Sequence, residues 1–259
     1  MQLWRSRSTP VFEGGWTCTP VCSAACLQAA VRRELDGRTR SREVHRHRIP
    51  LGLVMLEQGW ITQSQLRRAL DAQRAAGAGR LGHWLVRHRA VSEARVARAL
   101  ALQWSCPVLL ADFHDPAAMT AVIPRLFVDA FGVLPLRFAG EKLLYIGFEQ
   151  SPDPVLAHAI ERMLGVRVEC GIVPESAFGS VHGRLLHSQF PPVELVEAVN
   201  EAAAARALGK SLERTQPVAS RLVRVHDCLW LRMWSQPSNG SLPDPSSVRD
   251  VICSIGGTW

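Results

Sequence analysis

The chain has 259 residues, 47% apolar and 20% charged, with a formal net charge of +7. This balance suits a globular protein with room for one large or two small cores and excludes a low-complexity chain. No apolar run approaches the roughly 20 residues of a membrane-spanning helix, and Glu13, Gly14 and Gly15 stand where a signal-peptide core would lie, so no membrane insertion and a cytoplasmic location are expected.

The basic residues are almost all arginine, with Lys142 and Lys210 the exceptions. Arginine forks suit phosphates and guanine edges, but here they are dispersed and no helix-turn-helix is legible, so nucleic acid is not the expected partner. Near the start, Trp16-Thr-Cys18 followed by Cys22 and Cys26 resembles the second half of a small treble-clef zinc finger. A closed structural zinc needs four ligands, and no earlier Cys pair is present; His45 and His47 are possible substitutes, but they lie in an arginine-rich stretch that reads as solvated. The spacing reads as a degenerate finger or as chance. No metal is expected, with Cys18 and Cys22 the weak candidates.

A repeat follows. Residues Pro50 to Gln73 align with Arg80 to Gln103 at an offset of 30. Leu51 matches Leu81, Gly52 matches Gly82, Ile61 matches Val91, Leu66 matches Val96, Leu70 matches Leu100, and Gln73 matches Gln103. Each copy predicts a helical hairpin: a short helix over 51–58 or 81–89, then a longer one. Thr62 and Ser92 stand where N-caps belong. Leu66, Leu70 and Gln73, like Val96, Leu100 and Gln103, lie at i, i+4 and i+7 on one face.

The tandem pattern R-L-G-x-x-(L/V/I)-(L/V/I)-x-x-G-(L/V/I)-(L/V/I)-x-x-x-x-L-x-x-x-L-x-x-Q resembles the cyclic-di-GMP-binding N-terminal domain of type II secretion and type IV pilus assembly ATPases. The resemblance runs over residues 48–187, through Cys106-Pro107-Val108, Pro124-Arg125-Leu126 and Val133-Leu134-Pro135-Leu136. It implies a regulatory or adaptor domain without the ATPase, cyclic di-GMP as ligand, and a protein partner in secretion or pilus machinery. It also implies a site of Arg80, Leu81, Gly82 and Gln103 with Leu51, Gly52 and Gln73, where arginine grips phosphate or guanine and glycine admits close backbone approach. Pro50 stands where the family has arginine and Arg89 where it has glycine. A module that has lost the ligand and kept protein interaction is the alternative.

Downstream, helices are predicted from Asp115-Pro116 and from Pro124, and strands over 133–136 and 143–148. Asp153 should cap a helix over 154–164 that ends at Gly165, followed by a strand over 166–173 and a helix from Pro174 to Leu186. The tail reads as a helix over 193–208, a strand within 222–234, a turn-rich stretch with Asn239-Gly240, and a partner strand over 248–255. The expected fold is α+β: two helical hairpins packed on a small α/β sandwich, with a C-terminal helix and β-hairpin. Three regions follow, 1–47, 48–187 (split 48–105 and 106–187) and 188–259. Gly209-Lys210-Ser211 mimics the end of a phosphate-binding loop, but it follows an alanine-rich helix, and Gly209 is expected to end that helix. His83 and His88, at i and i+5, do not share a helical face. No cofactor and no catalysis are expected.

Overall fold

The computed structural model describes residues 10–36, 48–111, 115–237, 242 and 244–256. His45, His47 and Asn239-Gly240, named above, lie outside them.

The repeat forms four helices: α2 (Leu51–Glu57), α3 (Gln63–Ala76), α4 (Leu81–Arg87) and α5 (Glu93–Trp104). Thr62 starts α3 with a reciprocal capping box, accepting from the Gln65 amide while Gln65 accepts from the Thr62 amide. Ser92 holds the equivalent place before α5, but its side chain makes no capping bond. The short helices are exchanged between copies: α2 packs on α5 and α3 on α4. Met55, Ile61, Ala69, Leu85, Val91 and Ala99 fill the core between them. Each buried aliphatic side chain contributes about 1.5–3 kcal/mol relative to exposure.

After α6 (Pro116–Met119) and α7 (Arg125–Phe131), the chain builds a sheet in the order β3-β4-β5, with β3 at Val133–Ala139, β4 at Leu143–Phe148 and β5 at Arg167–Ile172. β3 and β4 are an antiparallel hairpin, whereas β4 and β5 are parallel and joined through α8 (Pro154–Leu164). Asp153 caps α8, accepting from the amides of Val155 and Leu156 at 2.9 and 3.0 Å. The last helix of this part, α9 (Glu175–Leu186), covers the sheet with Phe178, Val181 and Leu185.

The remaining chain and the N-terminal segment form one further unit. Residues 193–208 are not a single helix: Val193–Ala198 is strand β6, and α10 spans Glu201–Thr215 behind an Asn200 cap. Gly209 lies inside α10, which ends at Gln216, so Gly209 does not terminate it. Ala219–Val225 (β7) and Cys228–Trp234 (β8) are separate strands around His226, and Val248–Ile255 (β9) pairs with β8. The sheet order is β6-β9-β8-β7. Against one face lie α1 (Pro20–Asp36) and α10, burying Leu27, Val31, Leu208 and Leu212 on Leu231 and Val251. From the opposite face, Val223, Val225, Trp230 and Ile252 join the core of the α/β part. A short hairpin, β1 (Val11–Phe12) with β2 (Gly15–Trp16), borders β7 through bonds from the Val11 amide to Pro217 O and the Glu13 amide to Ser220 O, both 2.9 Å.

Arg232 of β8 and Asp250 of β9 are fully buried between these layers. Arg232 Nε and Nη2 donate to Asp250 Oδ1 and Oδ2 at 2.8 Å each. Trp230 Nε1 also donates to Asp250 Oδ1 at 2.8 Å, and Arg232 Nη1 reaches the carbonyls of Ala121 and Val122 at 2.7 and 3.0 Å. Each nitrogen of the guanidinium thus meets an acceptor, which is what burial of an ion pair requires.

Candidate functional site

The helix exchange brings the two starts of the short helices together. Gly52 and Gly82 occupy equivalent places in α2 and α4. A Cβ at Gly52 would lie 2.8 Å from Leu66 Cδ1 and 3.3 Å from Leu81 Cδ2; at Gly82 it would lie 2.8 Å from Val96 Cγ1 and 3.8 Å from Leu51 Cδ2. Each glycine therefore admits the long helix of its own copy and the first leucine of the other copy. This gives both glycines a packing role in the absence of any ligand.

The repeat glutamines obey the same symmetry. Gln73 Nε2 donates to Gly79 O at 2.8 Å, and Gln103 Nε2 donates to Ile49 O at 2.7 Å. Each closes the segment that leads into the other copy's short helix. Pro50 and Arg80 are the equivalent N-cap residues of α2 and α4, both with extended backbone.

Four of the seven predicted site residues, Leu51, Arg80, Leu81 and Gly82, line one cavity of about 160 Å³. Val86, Val96, Ala97 and Leu100 supply its apolar wall. Gly52, Gln73 and Gln103 are not in its lining. The α/β part closes the other side with Glu149, Gln150, Val173, Pro174 and Glu175, while Glu93 comes from α5.

Arg80 is the guanidinium of this cavity, and its side chain is 58% exposed. Its Nη1 donates to Glu149 Oε1 at 2.5 Å. Glu93 Oε2 accepts from the Ser176 amide at 3.2 Å and from Ser176 Oγ at 2.6 Å. His83 Nδ1 lies 3.6 Å from Glu175 Oε1. Three contacts thus join α4 and α5 to the ends of β4 and α9. The carboxylates were not legible in the sequence, because nothing in the repeat spacing points to Glu149 or Glu175.

The other motifs do not assemble a site. Among the described residues, no group of three or more His, Cys, Asp or Glu side chains could hold a metal ion. Cys22 lies in the first turn of α1, where its amide donates to Thr19 Oγ1 at 3.1 Å. His88 stacks on Trp84, ring planes 28° apart. Gly209, Lys210 and Ser211 lie within α10, where helical amides cannot wrap a phosphate. Among the described residues, no helix is long and apolar enough to cross a membrane.

The chain is similar to known proteins over about half of its length. No family model matches the chain. A stretch of 125 residues, 48% of the chain, is 34% identical to bacteriophage adsorption protein B of Escherichia coli (strain K12) and to bacteriophage N4 adsorption protein B of Escherichia coli O157:H7. The match spans 16% of the length of these relatives. Among solved structures, that of MshE with cdg is similar over 53% of this chain and 99% of that one, at 28% identity and a TM-score of 0.40. The N-terminal domain of XpsE is similar over 52% of this chain and 92% of that one, at 20% identity and a TM-score of 0.37.

Proposed function

We propose that this chain is a non-catalytic regulatory or adaptor domain whose tandem repeat takes cyclic di-GMP at the Arg80 end and acts on a protein partner of secretion or pilus-type machinery. The observation that carries the reading is the convergence of Arg80, Leu81 and Gly82 with Leu51 of the other copy on one apolar-walled cavity. A half-exposed guanidinium at the mouth can meet phosphate or a guanine edge bidentately, and the leucines and valines can pack on a base. The cavity is smaller than the ~300–1,000 Å³ of typical ligand pockets. It would therefore receive one end of a dinucleotide, the rest lying along the surface toward Pro50.

Titration calorimetry of the full chain with cyclic di-GMP tests this. Arg80→Ala should remove a charge-assisted contact of ~1.5–3 kcal/mol, weakening binding by roughly ten- to a hundredfold. Equal affinity of wild type and Arg80→Ala would dismiss the assignment of Arg80.

A second reading, a protein-interaction module without nucleotide, draws on a different observation. Gln73 and Gln103 both spend a side-chain donor on backbone carbonyls, and Pro50 offers neither guanidinium nor amide. Under it, no heat of binding appears at millimolar cyclic di-GMP for any variant.

A further inference from the structure

The candidate cavity is more acidic than its repeat motif implies, with Glu93, Glu149 and Glu175 in its lining. Two of these carboxylates face groups other than the arginine: Glu93 accepts from Ser176, and Glu175 lies near His83. Glu149 instead faces the guanidinium on which the ligand reading depends, and among the described residues it is the partner of Arg80.

We propose that Glu149 is a built-in competitor for the anionic ligand, its carboxylate holding the Arg80 nitrogen that a phosphate must take. This inference rests on the cyclic-di-GMP reading of the same cavity. Carboxylate and phosphate oxygens seek the same donors on a guanidinium, so one is displaced when the other binds. Glu149 is well placed for this role. It directly follows β4, whose last residue, Phe148, accepts the Val173 amide through its carbonyl at 2.8 Å. The carboxylate is thus presented from the end of a paired strand, while Arg80 belongs to the repeat. The Arg80 side chain is 58% exposed and that of Glu149 27%, and a pair so open to solvent is weak. Glu149 therefore tunes affinity and does not abolish binding. Because the pair spans two parts of the molecule, capture of Arg80 by a ligand also releases one of the contacts joining the repeat to the β4 end. The occupied and empty sites then differ at that junction, where a partner could read the difference.

The test is calorimetry of the full chain with cyclic di-GMP, using wild type, Glu149→Gln, Arg80→Ala and the double variant, with a thermal melt of each to verify folding. Glu149→Gln keeps shape and removes charge, and should bind roughly two- to fivefold tighter than wild type. In the Arg80→Ala background the same substitution should give no gain. A Glu149→Gln protein that binds equally or more weakly overturns the competitor role, as does a gain that persists without Arg80. Absence of binding by both wild type and Glu149→Gln at millimolar ligand overturns the ligand reading and the competitor with it. Wild-type binding unaffected by Glu149→Gln removes the competitor alone.

Discussion

Glu34, in the last turn of α1, accepts Arg162 Nη1 and Nη2 of α8 at 2.7 and 2.6 Å, across 128 residues of sequence. The same carboxylate accepts the Arg224 amide of β7 at 3.2 Å and Arg33 Nε at 3.3 Å, and its side chain is 4% exposed. One buried group thereby ties the N-terminal helix to the α/β part and to the C-terminal sheet.

Glu34→Gln should therefore destabilise the fold by about 2–3 kcal/mol in urea unfolding at neutral pH, since it removes charge-assisted bonds from a buried site. Burial alone would raise the Glu34 pKa, but Arg162, the Arg224 amide and Arg33 together hold it below the ordinary carboxylate value. Asp153 behaves alike: burial opposes ionisation, and His226, with the Leu156 and Val155 amides, prevails. Both contributions are complete above the unfolded carboxylate pKa of ~4 and are lost as pH falls through the lowered folded values. The urea midpoint should drop below about pH 4, and less steeply in Glu34→Gln. An equally steep acid loss in the variant would remove Glu34 from this account.

The two glutamine bonds of the repeat should be energetically equivalent. Gln73→Ala and Gln103→Ala each delete one side-chain to carbonyl bond, worth about 1 kcal/mol. Losses that differ by more than about 1 kcal/mol in parallel urea titrations would show that the symmetry of geometry is not one of energy.

Helices α2 to α5 were legible because an offset of 30 doubled most signals, including Gly52 with Gly82, Leu51 with Leu81, Leu70 with Leu100 and Gln73 with Gln103. What the offset could not reveal was the exchange of short helices between copies, since equivalent positions carry similar residues and either pairing satisfies the pattern. Residues 193–198 carry a helical pattern for a specific reason. Val193, Val196 and Glu194, Glu197, Glu201 recur at helical spacing, yet the segment is an edge strand parallel to β9, more than fifty residues away. Asn200, whose side chain accepts from the Ala203 amide at 2.9 Å, is the true start of the helix. The break between β7 and β8 was hidden because His226 takes a left-handed conformation, φ 50°, without a glycine to mark it. Arg80, Leu81, Gly82 and Leu51 were readable from the motif, whereas Glu149 comes from a strand end 69 residues beyond Arg80.

Arg89 gives a stability prediction. Gly59 and Arg89 close identical turns: their amides donate to Leu56 O and Val86 O at 3.0 and 2.8 Å, with φ of 65° and 54°. A Cβ in this left-handed region costs about 1 kcal/mol. Arg89→Gly should raise the unfolding free energy by up to that amount, and Gly59→Ala should lower it. A destabilised Arg89→Gly, measured by thermal melting, would mean that the Arg89 side chain makes a compensating contribution.

Cysteine reactivity should be graded along the chain. Hydrogen bonds from the Cys18 amide and thiol lower the Cys22 pKa, while desolvation, followed by Cys22, raises that of Cys26. Burial pushes Cys170 up to about 12 and Cys253 up to about 11. Because the thiolate is the nucleophile, limited iodoacetamide near pH 8 should label Cys22 ahead of Cys26, leaving Cys170 and Cys253 untouched until the protein unfolds. Peptide mass spectrometry over a time course reads the order; early loss of Cys253 would contradict it.

The buried pair of Arg232 and Asp250 also fixes how β9 is threaded. Along that strand, Val251 and Cys253 point toward α1 and α10, and Ile252 points toward the α/β core. Both neighbours are apolar, so hydrophobicity alone would tolerate a slip by one position, which exchanges the faces of every side chain. Asp250 does not tolerate it. The slip would turn its carboxylate toward the helices and leave the Arg232 guanidinium enclosed without its counter-charge, at a penalty of about 3–5 kcal/mol. One ion pair thus distinguishes two alignments that the surrounding valine, isoleucine and cysteine side chains would barely tell apart.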